Sequence, residues 1–372
     1  MRVIVIGGGI AGLVAAIGME RQGHEVTVFE QAPAITEVGA GIQVPPNAAR
    51  ILEAWGLLNG LERRAVIPES MLSYNWRDGK YLGAIPVGKS TSPFGSPMYL
   101  VYRPDLIETL LDSVSSPLNL GMKLESIAQS SHEAVARFTD GTEFAADLIV
   151  GADGIKSTVR QVVLQDDEQP RYTGSVAYRA LIPVERVAHL KIPDASIKWW
   201  GEHTAKNLVY YRIAGGKMLN VAAFVPAPEW GEESWTARGE VHELQKEFED
   251  FASPVPEILA QIDTSPYRWA LHDRQPIARW SSGRVVLVGD AAHPMVPFMG
   301  QGAAMAIEDA AVLTSILRET RNDSLQESLS NYGALRQARA TKVQEGSRNV
   351  TISDWLNRDW LYGYNALALQ DT

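Results

Sequence analysis

The sequence predicts an α/β protein: a mainly parallel sheet assembled from discontinuous segments, an antiparallel sheet inserted between them, and a helical C-terminus. Three observations predict it. A β-branched run, a glycine-rich loop and a helix-forming stretch open the chain and lead into a second strand-like run, the pattern of a βαβ unit. Residues 172–225 instead alternate and are rich in Val, Tyr and Trp, as in an antiparallel sheet. Short apolar runs that end in Gly-Ala-Asp and in Gly-Asp return near residues 153 and 290, so strands of the first kind frame the second.

Taken in order, Val3 to Ile6 form a strand buried on both faces, because β-branched apolar residues run without alternation. Leu13 to Gln22 form a helix, and Gly23 suits its C-terminal stop. Glu25 to Glu30 are the second strand. Pro45-Pro46 opens a helix to about Trp55, and Arg103-Pro104-Asp105 opens one to about Leu111, with proline at tolerated early positions. Residues 133–150 read as two strands around the turn Thr139-Asp140-Gly141-Thr142, the second running Ala146 to Val150. Within 172–225, turns fall near Gly201 and Gly215-Gly216. Glu240–Phe251 and Pro256–Ile262 are helical, Arg284–Val288 is again a buried strand, and Gly302–Leu317 is a long helix. Residues 324–366 are mostly helical. These signals divide the chain into a first domain of residues 1–70, 98–171 and 275–320, a β-sheet domain of 71–97 and 172–274, and a helical segment of 321–372.

Composition narrows the function. At 372 residues with 45% hydrophobic content, the chain can bury a large core and enclose a cofactor. Its net charge of −10 argues against nucleic-acid binding, which needs clustered Lys and Arg. No polybasic patch or membrane-length apolar stretch stands out, and no signal peptide is legible, so a cytoplasmic protein, monomer or homodimer, is expected. With no cysteine, thiolate metal sites, Cys nucleophiles and redox dithiols are excluded. No metal site is expected.

Three motifs carry chemistry. The first is Gly7-x-Gly9-x-x-Gly12, between a strand and a helix, with Glu30 ending the next strand 18 residues on. A phosphate needs backbone N–H groups without an intervening Cβ, and a helix N-terminus adds partial positive charge. Gly7 permits the tight turn, Gly9 the approach of pyrophosphate, and Gly12 the packing of helix on strand; a carboxylate at Glu30 accepts from ribose hydroxyls. This is a Rossmann-like dinucleotide site. The second motif is Asp147-Leu148-Ile149-Val150-Gly151-Ala152-Asp153-Gly154, closing with Ser157 and Arg160. From the residues alone, Asp153 either caps the following helix or meets a ligand. The third is Gly289-Asp290-Ala291-Ala292-His293, then Pro297 and Gly300-Gln301-Gly302. Asp290 suits a sugar-alcohol hydroxyl, and the N–H groups of residues 300–303 suit an anionic or electron-rich group. His293 has no second ligand at metal spacing and reads as structural.

On the substrate side, Ser175-Val176-Ala177-Tyr178-Arg179-Ala180-Leu181 places Arg179 on one strand face with Ala177 and Leu181. A cation among apolar side chains needs an anion: a phenolate or carboxylate substrate, an internal salt bridge, or escape to water. In Leu208 to Ile213, period two puts Tyr211 with Val209 and Ile213, and Tyr210 on the opposite face.

The three motifs in this order resemble the FAD-dependent aromatic hydroxylases, the single-component flavoprotein monooxygenases. Glu37-Val38-Gly39-Ala40-Gly41-Ile42, Tyr102-Arg103-Pro104-Asp105-Leu106 and Trp269-Ala270-Leu271-His272-Asp273 look most like the salicylate-hydroxylase branch. The resemblance runs from residue 1 to about 345 and implies an FAD-dependent monooxygenase that uses NAD(P)H and O₂, through a C4a-hydroperoxyflavin, to hydroxylate a phenolic ring, with or without a carboxylate. It implies that Gly7, Gly9, Ala11, Gly12, Glu30 and Gln31 bind the ADP part of FAD. Arg103 contacts FAD, and Ala40 and Gly41 pass beside it. Asp153 touches FAD and the nicotinamide coenzyme. Gly289 and Asp290 hold the ribityl chain and pyrophosphate, and Pro297, Gly300, Gln301, Gly302 and Ala303 shape the flavin and oxygen side. It implies Arg179 and Tyr211 as the substrate-side catalytic pair. The chain departs from the pattern at Asn207, where related enzymes often carry His, and at Arg212, where they carry Pro; these departures bear on the substrate and not on the reaction class. The same residues would also serve a flavin epoxidase or oxidative dearomatase acting on a larger natural product.

Overall fold

The computed structural model describes residues 1–35, 39–203, 205–229 and 237–370. Glu37 and Val38 of the segment named above lie outside the described residues. The central sheet has six strands in the order Ser281–Ser282, Val285–Leu287, Leu148–Gly151, Arg2–Ile6, Glu25–Glu30 and Leu118–Leu120. All neighbours are parallel except the first pair. Val3 to Ile6 are buried because neighbouring strands pair on both edges and the apolar helix Ile10–Arg21 covers a face. That helix packs in turn against Gly302–Leu317, so strands far apart in sequence share one core.

The second sheet has seven strands: Tyr267–Asp273, Arg171–Pro183, Met218–Pro226, Asn207–Ile213, Ser196–Trp200, Ser70–Asn75 and Tyr81–Pro86. It is antiparallel except where Ser196–Trp200 runs parallel to Ser70–Asn75. Its two faces follow the period of two. Leu208, Tyr210, Val221 and Ala223 pack outward in a small core with Leu244 of the helix Val241–Glu247, Phe248 just after it, and Ile258 of the helix Val255–Leu259. Ala177, Tyr211, Ala222 and Phe224 belong to the main core on the other side.

The expected 133–150 hairpin needs correction. The turn joins Ala134–Phe138 to Glu143–Ala146 within a separate three-stranded sheet, and Leu148–Gly151 is a distinct strand of the parallel sheet. The break falls at Asp147, whose carboxylate accepts the Arg2 N–H at 2.7 Å while its own N–H donates to the Arg2 carbonyl. The C-terminal region holds one long helix, Leu325–Arg348, followed by the short helices Ile352–Leu356 and Asp359–Tyr362.

Candidate active site

A cavity of about 390 Å³ lies between the two sheets. Two helix N-termini meet there: Gly9, Ile10 and Ala11 from one, Gly302 and Ala303 from the other. Neither helix has a side-chain cap, so their first N–H groups remain available to an anion. The glycine loop is built for that. Gly7 has φ +113°, and a Cβ there would lie 2.3 Å from the Ala152 carbonyl oxygen. A Cβ on Gly12 would lie 1.9 Å from the Gly7 oxygen, whereas one on Gly9 would meet no protein atom within 4 Å. Gly7 and Gly12 therefore serve the packing of the loop, and Gly9 leaves room for a ligand. The loop and the two uncapped helix ends fit the pyrophosphate of a dinucleotide.

Glu30 stands beside the loop, outside the cavity lining. Its carboxylate accepts from Gly8 N–H at 2.7 Å and Ala32 N–H at 2.8 Å. Gln31 is exposed. Ala40 is buried beneath the lining, its carbonyl accepting the Arg103 N–H at 2.9 Å, and Arg103 itself lines the cavity.

Asp290, Pro297, Gly300 and Gln301 also line the cavity, while Gly289 supports them from behind. Asp290 projects into the space and is exposed to it, and desolvation by the surrounding walls pushes its carboxyl above the ordinary value, with His293 and Arg103 opposing. A buried network holds this segment. Asp309 accepts from Gly289 N–H at 2.9 Å, from His293 Nε2 at 2.5 Å and from Arg336 Nε at 2.8 Å. Burial works against the Asp309 carboxylate, yet His293 and Arg336 outweigh it and hold its pKa below the ordinary value. His293 is thus held to a structural partner. Asn47 donates to both Gln301 Oε1 at 3.1 Å and Glu308 Oε1 at 2.7 Å, which positions Gln301.

Asp153 stands behind the cavity lining, to which Ala152 and Gly154 contribute. Its carboxylate accepts from Ser157 Oγ–H at 2.5 Å, Thr158 N–H at 2.8 Å and Val159 N–H at 3.1 Å, so it caps the helix Thr158–Leu164. Arg160 of that helix donates to the Ala291 and Ala292 carbonyls at 3.2 and 3.0 Å, joining the second motif to the third.

Arg179 and Tyr211 both line the cavity. Arg179 Nη2 donates to the Gly41 carbonyl, and its guanidinium lies 5.6 Å from the Trp269 ring centroid. Among the described residues no carboxylate forms an ion pair with it, so the internal salt bridge is not the answer to its charge. Burial lowers its pKa. Tyr211 packs against Gly41, where a Cβ would meet its ring at 2.8 Å, and Asn220 Oδ1 accepts the Gly41 N–H at 2.8 Å. Burial pushes the Tyr211 hydroxyl up to about 12, with Arg179 opposing, so it stays protonated at neutral pH.

Several lining residues escaped the sequence reading: Lys198, Ser196, Gln43, and Trp355 from the C-terminal region. Trp355 stands edge-on to Trp200 at 6.2 Å. No group of metal-ligating side chains occurs among the described residues.

The family model described as FAD binding domain matches residues 1–347. The chain is 38% identical to 3-amino-4-hydroxybenzoate 2-monooxygenase of Streptomyces platensis over 93% of its own length and 87% of that protein's. It is 35% identical to 6-hydroxynicotinate 3-monooxygenase of Pseudomonas fluorescens, covering 98% and 95% respectively. A solved salicylate hydroxylase substrate complex superposes with a TM-score of 0.86 at 25% identity, covering 100% of this chain and 97% of that one. A glycine loop and two uncapped helix ends facing one cavity agree with this match over nearly the whole chain, and the chain belongs to the FAD-dependent aromatic hydroxylases, a family of flavoprotein monooxygenases.

Proposed function

We propose that this chain hydroxylates a small phenolic ring, salicylate-like in size, and that the ring lies on the inner face of the seven-stranded sheet. The observation that carries this reading is the meeting of Arg179 and Tyr211 with the two helix N-termini and Asp290 in one cavity. Gly7, Gly9, Ala11, Gly12, Glu30 and Gln31 would hold the adenosine and pyrophosphate end of FAD. Ala40, Gly41, Arg103, Gly289, Asp290, Pro297 and Gly300 to Ala303 would surround the remainder. When bound, FAD supplies hydride acceptance from NAD(P)H and activation of O₂ for transfer to an electron-rich ring. Arg179 then stabilises negative charge on the phenolic oxygen, which makes the ring more electron-rich. Tyr211, protonated, donates a hydrogen bond and fixes the orientation of the ring. Val209, Ala222 and Phe224 line the same space and exclude water.

In this reading residues 1–70, 98–171 and 275–320 form the FAD domain, 71–97 and 172–274 the substrate domain, and 321–372 a helical closure. The setting is the cytoplasm, as a monomer or homodimer, without nucleic acid or membrane. The net charge of −10 favours this, and no described helix is long and apolar enough to cross a membrane. The test is a panel of phenolic acids offered to the purified, flavin-loaded protein. Stimulated NAD(P)H oxidation with a product heavier by one oxygen atom supports the reading; a loaded protein that turns over none of them and yields no such product overturns it.

A further inference from the structure

One cation in the cavity has no part in the reading so far. Lys198 is only 2% exposed, yet it lines the cavity. Its Nζ donates to the Phe298 carbonyl at 3.2 Å and stands 3.9 Å from the Trp200 ring centroid. A carbonyl and a ring face satisfy part of an ammonium and neutralise none of it. Among the described residues no carboxylate forms an ion pair with Lys198. The charged group that acts on it is a second cation, Arg358, 1% exposed, whose Nε donates to the Trp355 carbonyl at 3.0 Å and whose two terminal nitrogens lack hydrogen-bond partners. Asp354 acts on Arg358 in turn, but no such anion acts on Lys198; a buried cation without one is strongly unfavourable, and a second cation nearby makes it more so.

The sheet register says where this charge sits. Lys198 pairs with Val209, Val209 with Ala222, and Ala222 with Arg179. All four residues line the cavity, so they form one row across four strands. At about 4.8 Å per strand, the α-carbons of Lys198 and Arg179 stand ~14 Å apart. Two small apolar residues floor the row between them. That floor suits a flat ring, and one substituted ring bridges the gap once both long side chains reach inward. The Arg179 end adjoins Tyr211 and Gly41. The Lys198 end adjoins Ser196, whose hydroxyl accepts from Gln43 Nε2 at 2.9 Å.

We propose that Lys198 is a specificity-determining residue that receives a carboxylate on the substrate ring, on the side away from Arg179. This rests on the reading that the cavity takes a phenolic ring. A carboxylate supplies the missing negative charge and accepts from the ammonium's remaining N–H groups. The phenolic hydroxyl is thereby directed to the Arg179 and Tyr211 end, so the two cations divide the work: one selects and the other activates.

Benzoate and benzamide, alike in shape and different in charge, test this on the flavin-loaded protein, with binding read from flavin absorbance and tryptophan fluorescence. A hydrogen bond to a charged group predicts that the wild type prefers benzoate by ~10- to 100-fold. Lys198→Met should bring the two affinities together by weakening benzoate and leaving benzamide nearly unchanged. Lys198→Gln, which keeps a donor for the Phe298 carbonyl, should do the same and serves if the Met variant does not fold. A wild type without the preference, or a folded neutral variant that retains it, overturns the proposal. Failure of phenolic probes to stimulate NAD(P)H oxidation would count against the hydroxylase reading, while the benzoate-to-benzamide ratio would still report on Lys198.

Discussion

Arg179 is held by a backbone carbonyl and an aromatic ring, so its charge is free to answer a substrate and its position does not depend on one. Replacing it with Gln should leave a folded, yellow protein. Product formation should drop at least ~10²-fold, with H₂O₂ rising per NAD(P)H consumed, because the ring binds without full activation. Measuring product and peroxide together checks this, and normal values for both would remove Arg179 from the site. Tyr211 gives a pH prediction. Its hydroxyl titrates only near about 12, so between roughly pH 6 and 9 it stays a donor. Tyr211→Phe should therefore lower hydroxylation by a similar factor across that range without moving the profile; a shifted profile would mean that Tyr211 titrates during turnover. Both residues were legible in the sequence because period two separates the faces of a strand, and Tyr211 with Val209 does line the cavity while Leu208 and Tyr210 pack outward. Lys198 was not legible. A lysine in a strand reads as solvent-facing until the partner that covers that face is known. Asp153 left two readings open for a related reason, since helix capping and ligand binding ask for the same short carboxylate.

The glycine loop and the helix behind it separate ligand binding from folding at the level of single elements. Gly9→Ala adds a methyl that meets no protein atom within 4 Å, at a φ of −79° that alanine tolerates. Its thermal midpoint should stay near wild type while FAD affinity falls at least ~10-fold, as the methyl intrudes on the phosphate. Gly12→Ala drives a methyl into the Gly7 carbonyl and should instead destabilise the fold by at least about 1–3 kcal/mol. Flavin titration and thermal unfolding of the two variants should split in this way. Asp309 links the helix Gly302–Leu317 to Gly289, His293 and Arg336. Its pKa is lower folded than unfolded, so its contribution is present above the ordinary aspartate value and is lost as pH falls through the folded value. Asp309→Asn should cost about 3–5 kcal/mol at neutral pH. The gap to wild type in urea midpoints should narrow below about pH 4; a gap that stays constant with pH would show that the charge is not what matters. The elements with strong local signals, the first βαβ unit and the 302–317 helix, were readable in advance. The 143–151 segment was not, because one run of strand-forming residues feeds two different sheets and only tertiary pairing decides where it breaks.

On the scale of the molecule, the C-terminal region reaches the cavity and contributes Trp355 to its wall. Trp355 is 3% exposed, lines the cavity and stacks edge-on to Trp200. Trp355→Ala should destabilise the fold by about 3–5 kcal/mol and admit water, so that a greater share of NAD(P)H oxidation ends in H₂O₂ with FAD affinity little changed. Unaltered coupling in this variant would confine Trp355 to packing. The sequence does not disclose this role, since nothing local tells an aromatic-rich tail where it will dock.

The parallel sheet has a further consequence for how the protein comes into being. The glycine loop precedes the seven-stranded sheet in the chain, but the strand beside its partner strand, Val285–Leu287, and the second helix that faces it follow that sheet. A growing chain therefore carries the phosphate loop through most of its synthesis without the residues that complete the pocket. Flavin capture should therefore come late in synthesis, after the residues from Gly289 onward have joined the loop. Nascent chains arrested before Gly289 should retain no flavin, while chains released at full length should.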